Sequence, residues 1–401
     1  MVCSVFLKKK GRKRVGFKTN VTPSGAEQLS VDASQKIEIM SESFFGPLWP
    51  YIKDRNITDV DFNGRELWIT DCNSHRRKVA DIPLTKQFVN VFTGHVANMQ
   101  SREFNKLNPV LEAETEELRI SIVNEVVAKT GTSVCIRKTP TFARITVEDS
   151  LKTKYATKEI LSFLTNAVRA HCNIVVCGEP GVGKTEACKF VSTFINENER
   201  VITIEDNLEW HYSKLKPLSD CIEMQVSKRF SYTDAIVTCL RQNPRWMMIS
   251  EIRGNEAKEY VQALSTGVNG ITTLHTDDVR NIPDRVVNMI ADRNGAARVE
   301  NDIYTFVDIG VLVNKKIVKV GNEEKMHRYI DQVGAFVIED GIKKCYMIFE
   351  DGKFVKNPYD ESGNLSLDNF LPQHLRTKFK RALIDNPFEN GDVIRQANNI
   401  K

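Results

Sequence analysis

Long apolar runs are absent from this sequence. No stretch approaches the roughly 18 consecutive apolar residues that a membrane helix needs, so no such span is expected. The basic start, with Lys8, Lys9, Lys10, Arg12, Lys13 and Arg14, leads into no apolar stretch of roughly 7–15 residues, so a secretory signal is not expected either. Paired cysteine motifs are missing too. The nine cysteines are odd in number, irregularly spaced and without a Cys-x-x-Cys, which argues against a disulfide framework and a four-thiolate zinc module. Reduced thiols in a cytosolic protein are the expectation. Charge of one sign is scarce: 56 Lys and Arg against 52 Asp and Glu leave a net +4, too little for a polycation that coats nucleic acid.

What remains is a globular composition, 41% apolar and 27% charged over 401 residues, too long for one ordinary core. Residues 1–35 form a basic tail that reads as disordered, either a solvated arm or a contact for anionic lipid. Its few aromatics make nucleic acid an unlikely direct ligand. Residues 36–148 read as a smaller α+β domain. IEIMSESFFGPLWPYIKD (37–54) has helical apolar spacing broken at Pro47 and Pro50, and ITDVDFNGRELWIT (57–70) alternates about Asn63-Gly64 like a hairpin. Residues 83–100 read as a helix with Phe88, Val91, Phe92 and Val96 on one face, followed by strands LRISIV and TSVCIR turning at Gly131. A linker is expected at 139–155. Over 149–340 short apolar strands (NIVVC, RVITIE, WMMIS, ITTLH) alternate with amphipathic helices, the pattern of an α/β domain with a mostly parallel sheet. Residues 341–401, with the hairpin-like KKCYMIFEDGKFV, form an extension of unassigned role.

The chemistry concentrates in GEPGVGKT. Gly178, Glu179, Pro180, Gly181, Val182, Gly183, Lys184 and Thr185, with Glu186 next, follow an apolar strand and open a helix. Glycines let the backbone N–H groups curl toward phosphate oxygens, the helix start adds a favourable dipole, Lys184 reaches the β and γ phosphates, and Thr185 ligates Mg2+. WMMISEIRG then ends an apolar strand at Glu251, suited to a metal and water beside the γ-phosphate. RVITIEDNLEW supplies Glu205, with Asp206 and Glu209, either as a second carboxylate source or as a helix-capping loop. His275 ends a further strand on the same carboxyl edge, either structural or part of the site.

The order GEPGVGKT, TIEDNLEW, LRQNP-WMMISEIRGNEA, TGVNGITTLHT resembles the secretion and pilus-assembly traffic ATPases of type II and type IV systems, over about residues 37–335. Asn63-Gly64, LNPVLEAETEELRIS and SVCIRK are most similar to the CpaF-like (tight-adherence) and conjugation-type branch. The resemblance implies a RecA-like ATPase domain, with Glu205 in the acidic box, Glu251 as the Walker B glutamate that also holds the metal, and His275 as the His-box histidine. It further implies Arg119 and Arg137 as N-terminal-domain arginines that reach the nucleotide, and Arg241 and Arg253 as further signature arginines. ATP and Mg2+ are the implied ligands. A homo-hexamer on the cytoplasmic face of the membrane, working with inner-membrane platform proteins, is the implied assembly. Three positions depart from the pattern: Ser250 replaces a glycine, Val268 a histidine and Arg245 an aspartate. A nucleotide-gated scaffold and a nucleic-acid translocase on the same core remain as alternatives.

Overall fold

The computed structural model describes residues 40–398, apart from 81–83, 291–294, 322, 361 and 369. The basic tail expected at 1–35 lies outside the described residues. Two sheets organise the rest. The first contains β1 (Ile57–Phe62), β2 (Leu67–Asp71), β3 (Arg76–Lys78), β4 (Val110–Glu114), β5 (Leu118–Val123) and β6 (Ser133–Lys138). It is antiparallel throughout, in the order β3-β2-β1-β6-β5-β4.

Strand periodicity explains how this sheet serves a site. In β5, Leu118, Ile120 and Ile122 are buried, which turns Arg119 to the opposite face. Val134 and Ile136 do the same for Arg137 in β6. Register then sets Asp59, Arg137 and Arg119 in one row across β1, β6 and β5. The buried face packs on Phe44, Phe45, Phe92 and Val96. The expected hairpin at Asn63-Gly64 forms: Asn63 Oδ1 accepts from the backbone of Arg65 and Glu66, and Gly64 has φ +92°. The helix expected at 83–100 is Lys86–Met99, but it is rotated from the expected face. Val89 is buried and Val91 is 50% exposed, because a helix advances about 100° per residue and Phe92 and Val96 fix the inward direction.

The second sheet contains β7 (Ile174–Cys177), β8 (Val201–Glu205), β9 (Cys221–Gln225), β10 (Trp246–Ile249), β11 (Asn269–Leu274), β12 (Ile309–Val320), β13 (Glu323–Glu339), β14 (Ile342–Glu350) and β15 (Lys353–Phe354). Its order is β15-β14-β13-β12-β7-β11-β10-β8-β9. From β12 to β9 all pairings are parallel, and β13 to β15 continue it antiparallel. Alternate residues of the central strands enter different cores, Ile174 and Val176 on one face and Val175 and Cys177 on the other. That double burial is why these strands read as unbroken apolar runs.

Two expectations change. The linker at 139–155 contains a helix, Val147–Thr153, started by Thr146 as N-cap. The described residues of 341–398 join the main domain's core. β14 pairs with β13, and the helices Gln373–Arg381 and Gly391–Asn398 help close the first core, where Phe388 meets Phe163, Phe349, Phe354 and Phe370. Asn166 adds a buried clamp, donating to Pro387 O and Glu389 O and accepting from Asn390. Phe388 is fully buried, so Phe388→Ala should cost about 3–5 kcal/mol through lost burial and an unfilled cavity. Denaturant unfolding checks this; a loss under 1 kcal/mol would mean the C-terminal segment is not part of the core.

Candidate functional site

The carboxyl ends of β7, β8, β10 and β11 lie on one edge, where open parallel sheets bind ligands. There the glycine loop leaves β7 and enters the helix Lys184–Ser192. Gly178, Gly181 and Gly183 all have positive φ. At Gly178 a Cβ would stand 2.4 Å from Val313 O of β12, so any side chain would push the loop off the sheet. Facing this edge across a cavity of about 780 Å3 is the first sheet, with Arg119, Arg137 and Thr58 among the lining residues.

A continuous polar chain runs through the cavity. Lys184 is buried, and its Nζ donates to Gly178 O (3.1 Å) and Glu179 O (3.2 Å) and contacts His275 Nδ1 (2.9 Å). Burial lowers its pKa. His275 Nε2 lies 2.8 Å from Glu251 Oε1, and the other Glu251 oxygen accepts from Arg253 Nη2 at 2.7 Å. Arg253 Nη1 continues to Asp206 Oδ2 at 3.1 Å. His275 Nδ1 also lies 3.2 Å from Gly178 O, so the ring spans from the glycine loop to Glu251. The Arg253 pKa is raised chiefly by its bond to Glu251.

The acidic loop after β8 behaves differently from its expected role. Glu205 is fully buried and does not line the cavity; one oxygen accepts from the N–H groups of Glu209 (2.9 Å) and Trp210 (3.1 Å). It holds the loop, and burial pushes its pKa up to about 8. The acids presented to the cavity are Asp206 and Glu209. The Glu209 pKa is raised, with burial the largest cause and the Thr185 hydroxyl acting against it. Of the arginines, Arg137 pairs with Asp59 on its own sheet at 2.8 Å, and Arg119 Nη1 donates to the Asn207 side-chain carbonyl at 3.0 Å once that amide is oriented to satisfy its neighbours. Arg241 is not brought to the cavity: it is the exposed C-cap of the helix Tyr232–Leu240, before β10 and so toward the sheet's opposite edge. Glu179 is exposed beside Lys315, Val182 is buried beneath the loop, and Glu186 accepts from Arg144 N at 3.1 Å.

The residues suit a nucleotide with Mg2+. The loop offers N–H groups and a lysine to phosphate, and Thr185, Glu209 and Glu251 are hard oxygen donors. No group of three or more His, Cys, Asp or Glu forms a ready-made metal cage among the described residues. Mg2+ needs none, since it keeps waters and takes one or two protein oxygens beside substrate phosphates. Ser250, in place of the usual glycine, lines the cavity and bonds Tyr232 OH at 3.1 Å. Sequence reasoning missed Arg144 and Arg328, which also line the cavity and belong to no motif.

A family model for type II/IV secretion system proteins matches residues 105–355. The chain belongs to this family. Among its relatives, an uncharacterized protein of Bacillus anthracis is 29% identical over 83% of this chain and 79% of its own length. The type IV secretion system protein VirB11 of Brucella suis biovar 1 is 28% identical over 68% of this chain and 84% of its own. The X-ray structure of the ATPase DotB of Legionella pneumophila aligns at a TM-score of 0.53 and 19% identity, covering 71% of this chain and 78% of that one. That likeness is one of fold, and it is the RecA-like P-loop architecture with an N-terminal domain.

Glu205 makes stability depend on pH in a definite direction. Its folded pKa of about 8 lies above the ordinary carboxyl value, so the folded state retains a proton that the unfolded chain releases. Stability therefore falls as pH rises through the window between the two values. Between pH 6 and pH 9 the wild type should lose on the order of 2–3 kcal/mol more than Glu205→Gln. Urea unfolding at both pH values checks this; parallel losses would show that Glu205 is ionised in the folded chain at pH 6.

Proposed function

We propose that this chain is a Mg2+-dependent ATPase that powers a type II/IV secretion or pilus-assembly machine. The observation that carries the reading is the chain of contacts from the glycine loop through Lys184 and His275 to Glu251 and Arg253. It joins a phosphate cradle to a carboxylate able to position and deprotonate water, the two parts that hydrolysis requires. Bound Mg2+ would offset phosphate charge from the side of Thr185 and Glu251. Lys184 would exchange its carbonyl partners for phosphate oxygens. Glu251, released from His275 or Arg253, would orient the attacking water, and Arg253 would remain a cation beside the developing charge.

Arg119 and Arg137 lie across the cavity on the other sheet, so closure of one sheet on the other would bring two guanidiniums to the phosphates. Arg137 would have to leave Asp59 to do so. Family membership supports the secretion role, and the N-terminal segment's resemblance favours the tight-adherence or conjugation-type branch. A homo-hexamer at the cytoplasmic membrane face with inner-membrane platform partners belongs to the same reading. No helix among the described residues is long and apolar enough to cross a membrane. One observation favours a nucleotide-gated scaffold instead: both Glu251 oxygens are already engaged.

Phosphate release and nucleotide titration separate these. Lys184→Ala should cut turnover about 10- to 150-fold, because the charge-assisted contact it loses is worth about 1.5–3 kcal/mol and is concentrated on the transferring group. Glu251→Gln should bind ATP with near wild-type affinity while kcat falls about 100-fold or more. Turnover unchanged in both variants would sink the ATPase reading, and no wild-type turnover with intact ATP binding would favour the scaffold.

A further inference from the structure

Three of the eight lysines and arginines lining the cleft have an acid partner among the described residues. Arg137 has Asp59, Arg253 has Glu251 and Asp206, and Lys189 lies 3.5 Å from Glu186. Arg328 and Arg144 do not. Arg328 reaches in from β13 and spends its donors on neutral oxygens: Cys72 O (2.6 Å), Ser74 Oγ (2.6 Å) and, at 3.5 Å, Gly181 O. Arg144 is anchored through its backbone, whose N–H donates to Glu186 Oε2, while its side-chain Nε is buried without a partner. Neither guanidinium has a carboxylate within ion-pair distance among the described residues.

The two are also near one another. The Arg144 charge adds to the burial that depresses the Arg328 pKa. Like charges held together and partly desolvated are costly unless something anionic joins them. Tyr155 makes the same point with a neutral group: it is 6% exposed, lines the cavity, and its hydroxyl is buried with no partner.

Position identifies the anion. Lys184, Glu251 and His275 mark the γ-phosphate end of the cleft. A nucleotide runs from there along the glycine loop into the first turn of the helix, where N–H groups cradle the α and β phosphates. Arg144 is tied at Glu186, one residue beyond Thr185, and the Arg328 side chain lies 3.8 Å from where a Cβ on Gly183 would stand. We propose that Arg144 and Arg328, with the Tyr155 hydroxyl, form a second anion-binding element that takes the α-phosphate and ribose end of the nucleotide. This rests on reading the cleft as a nucleotide site. The pair acts in binding, so ADP and ATP feel it alike.

Calorimetric titration of the full chain with Mg-ADP and Mg-ATP tests this. Arg144→Gln and Arg328→Gln should each weaken both nucleotides by a similar factor, about 10-fold or more for loss of a charge-assisted bond. Arg328→Lys should recover part of the loss, and melting without nucleotide should show each variant folded. Ser74→Ala removes an acceptor of Arg328 but keeps the guanidinium, so its ADP affinity should match wild type. Unchanged ADP affinity in both glutamine variants would overturn the inference, as would a loss confined to ATP. So would a Ser74→Ala loss equal to that of Arg328→Gln, which would assign the effect to the N-terminal sheet's turn. If Lys184→Ala bound nucleotide like wild type, or wild type bound none, the nucleotide reading itself would fall. Lys184-dependent binding indifferent to both arginines would remove this inference alone.

Discussion

Cationic charge held half-buried around a glycine loop is the constraint on which the rest of this structure depends. Eight lysines and arginines face six carboxylates in the cleft, and the acids are distributed unevenly. At the Glu251 end Arg253 lies between Glu251 and Asp206, and His275 also meets Glu251. At the other end neither Arg144 nor Arg328 has a carboxylate partner among the described residues, and Glu186 pairs with Lys189 instead. A fold keeps such an arrangement only if its elements hold the cations in place against their repulsion. Both sheets supply that rigidity. Gly178 runs against the backbone of β12, and buried Leu118, Ile120, Val134 and Ile136 fix the row Asp59, Arg137 and Arg119.

The hairpin of β12 and β13 ties the two sheets together. Past its pairing with β7 it extends across the cleft: Lys315 reaches Pro180 O, Arg328 reaches Cys72 O and Ser74, and Glu324 O lies 2.7 Å from His75 Nε2. The same two strands carry β14 and the C-terminal helices on their other end. A nucleotide that engages Arg328 therefore touches an element anchored in the main core and resting on the N-terminal sheet. That gives a physical path from ligand to domain position, through hydrogen bonds that would have to be exchanged.

What was legible in the sequence follows from locality. The glycine loop, Glu251 and His275 each stand at the end of a short apolar strand, so motif and sheet edge could be read together. Glu205 has the same signature, but backbone N–H groups four and five residues on capture its carboxylate, and local sequence does not say which acid of the cluster turns inward. Arg144 and Arg328 come from a connecting segment and a distant hairpin, and only tertiary structure makes them neighbours. The C-terminal segment was opaque for another reason. Its helix Gln373–Arg381 is very polar and buries only Leu375 and Phe379, so it carries almost no core pattern although it closes the core.

The central claim is that one nucleotide bridges both sheets. Hydrogen–deuterium exchange on the full chain, with and without Mg2+ and a slowly hydrolysed ATP analogue, measures this directly. The account predicts increased protection at 178–186 and, in the same experiment, along β5, β6 and residues 325–330. Protection confined to the glycine loop and the ends of β10 and β11, with β5 and β6 unchanged, would contradict it.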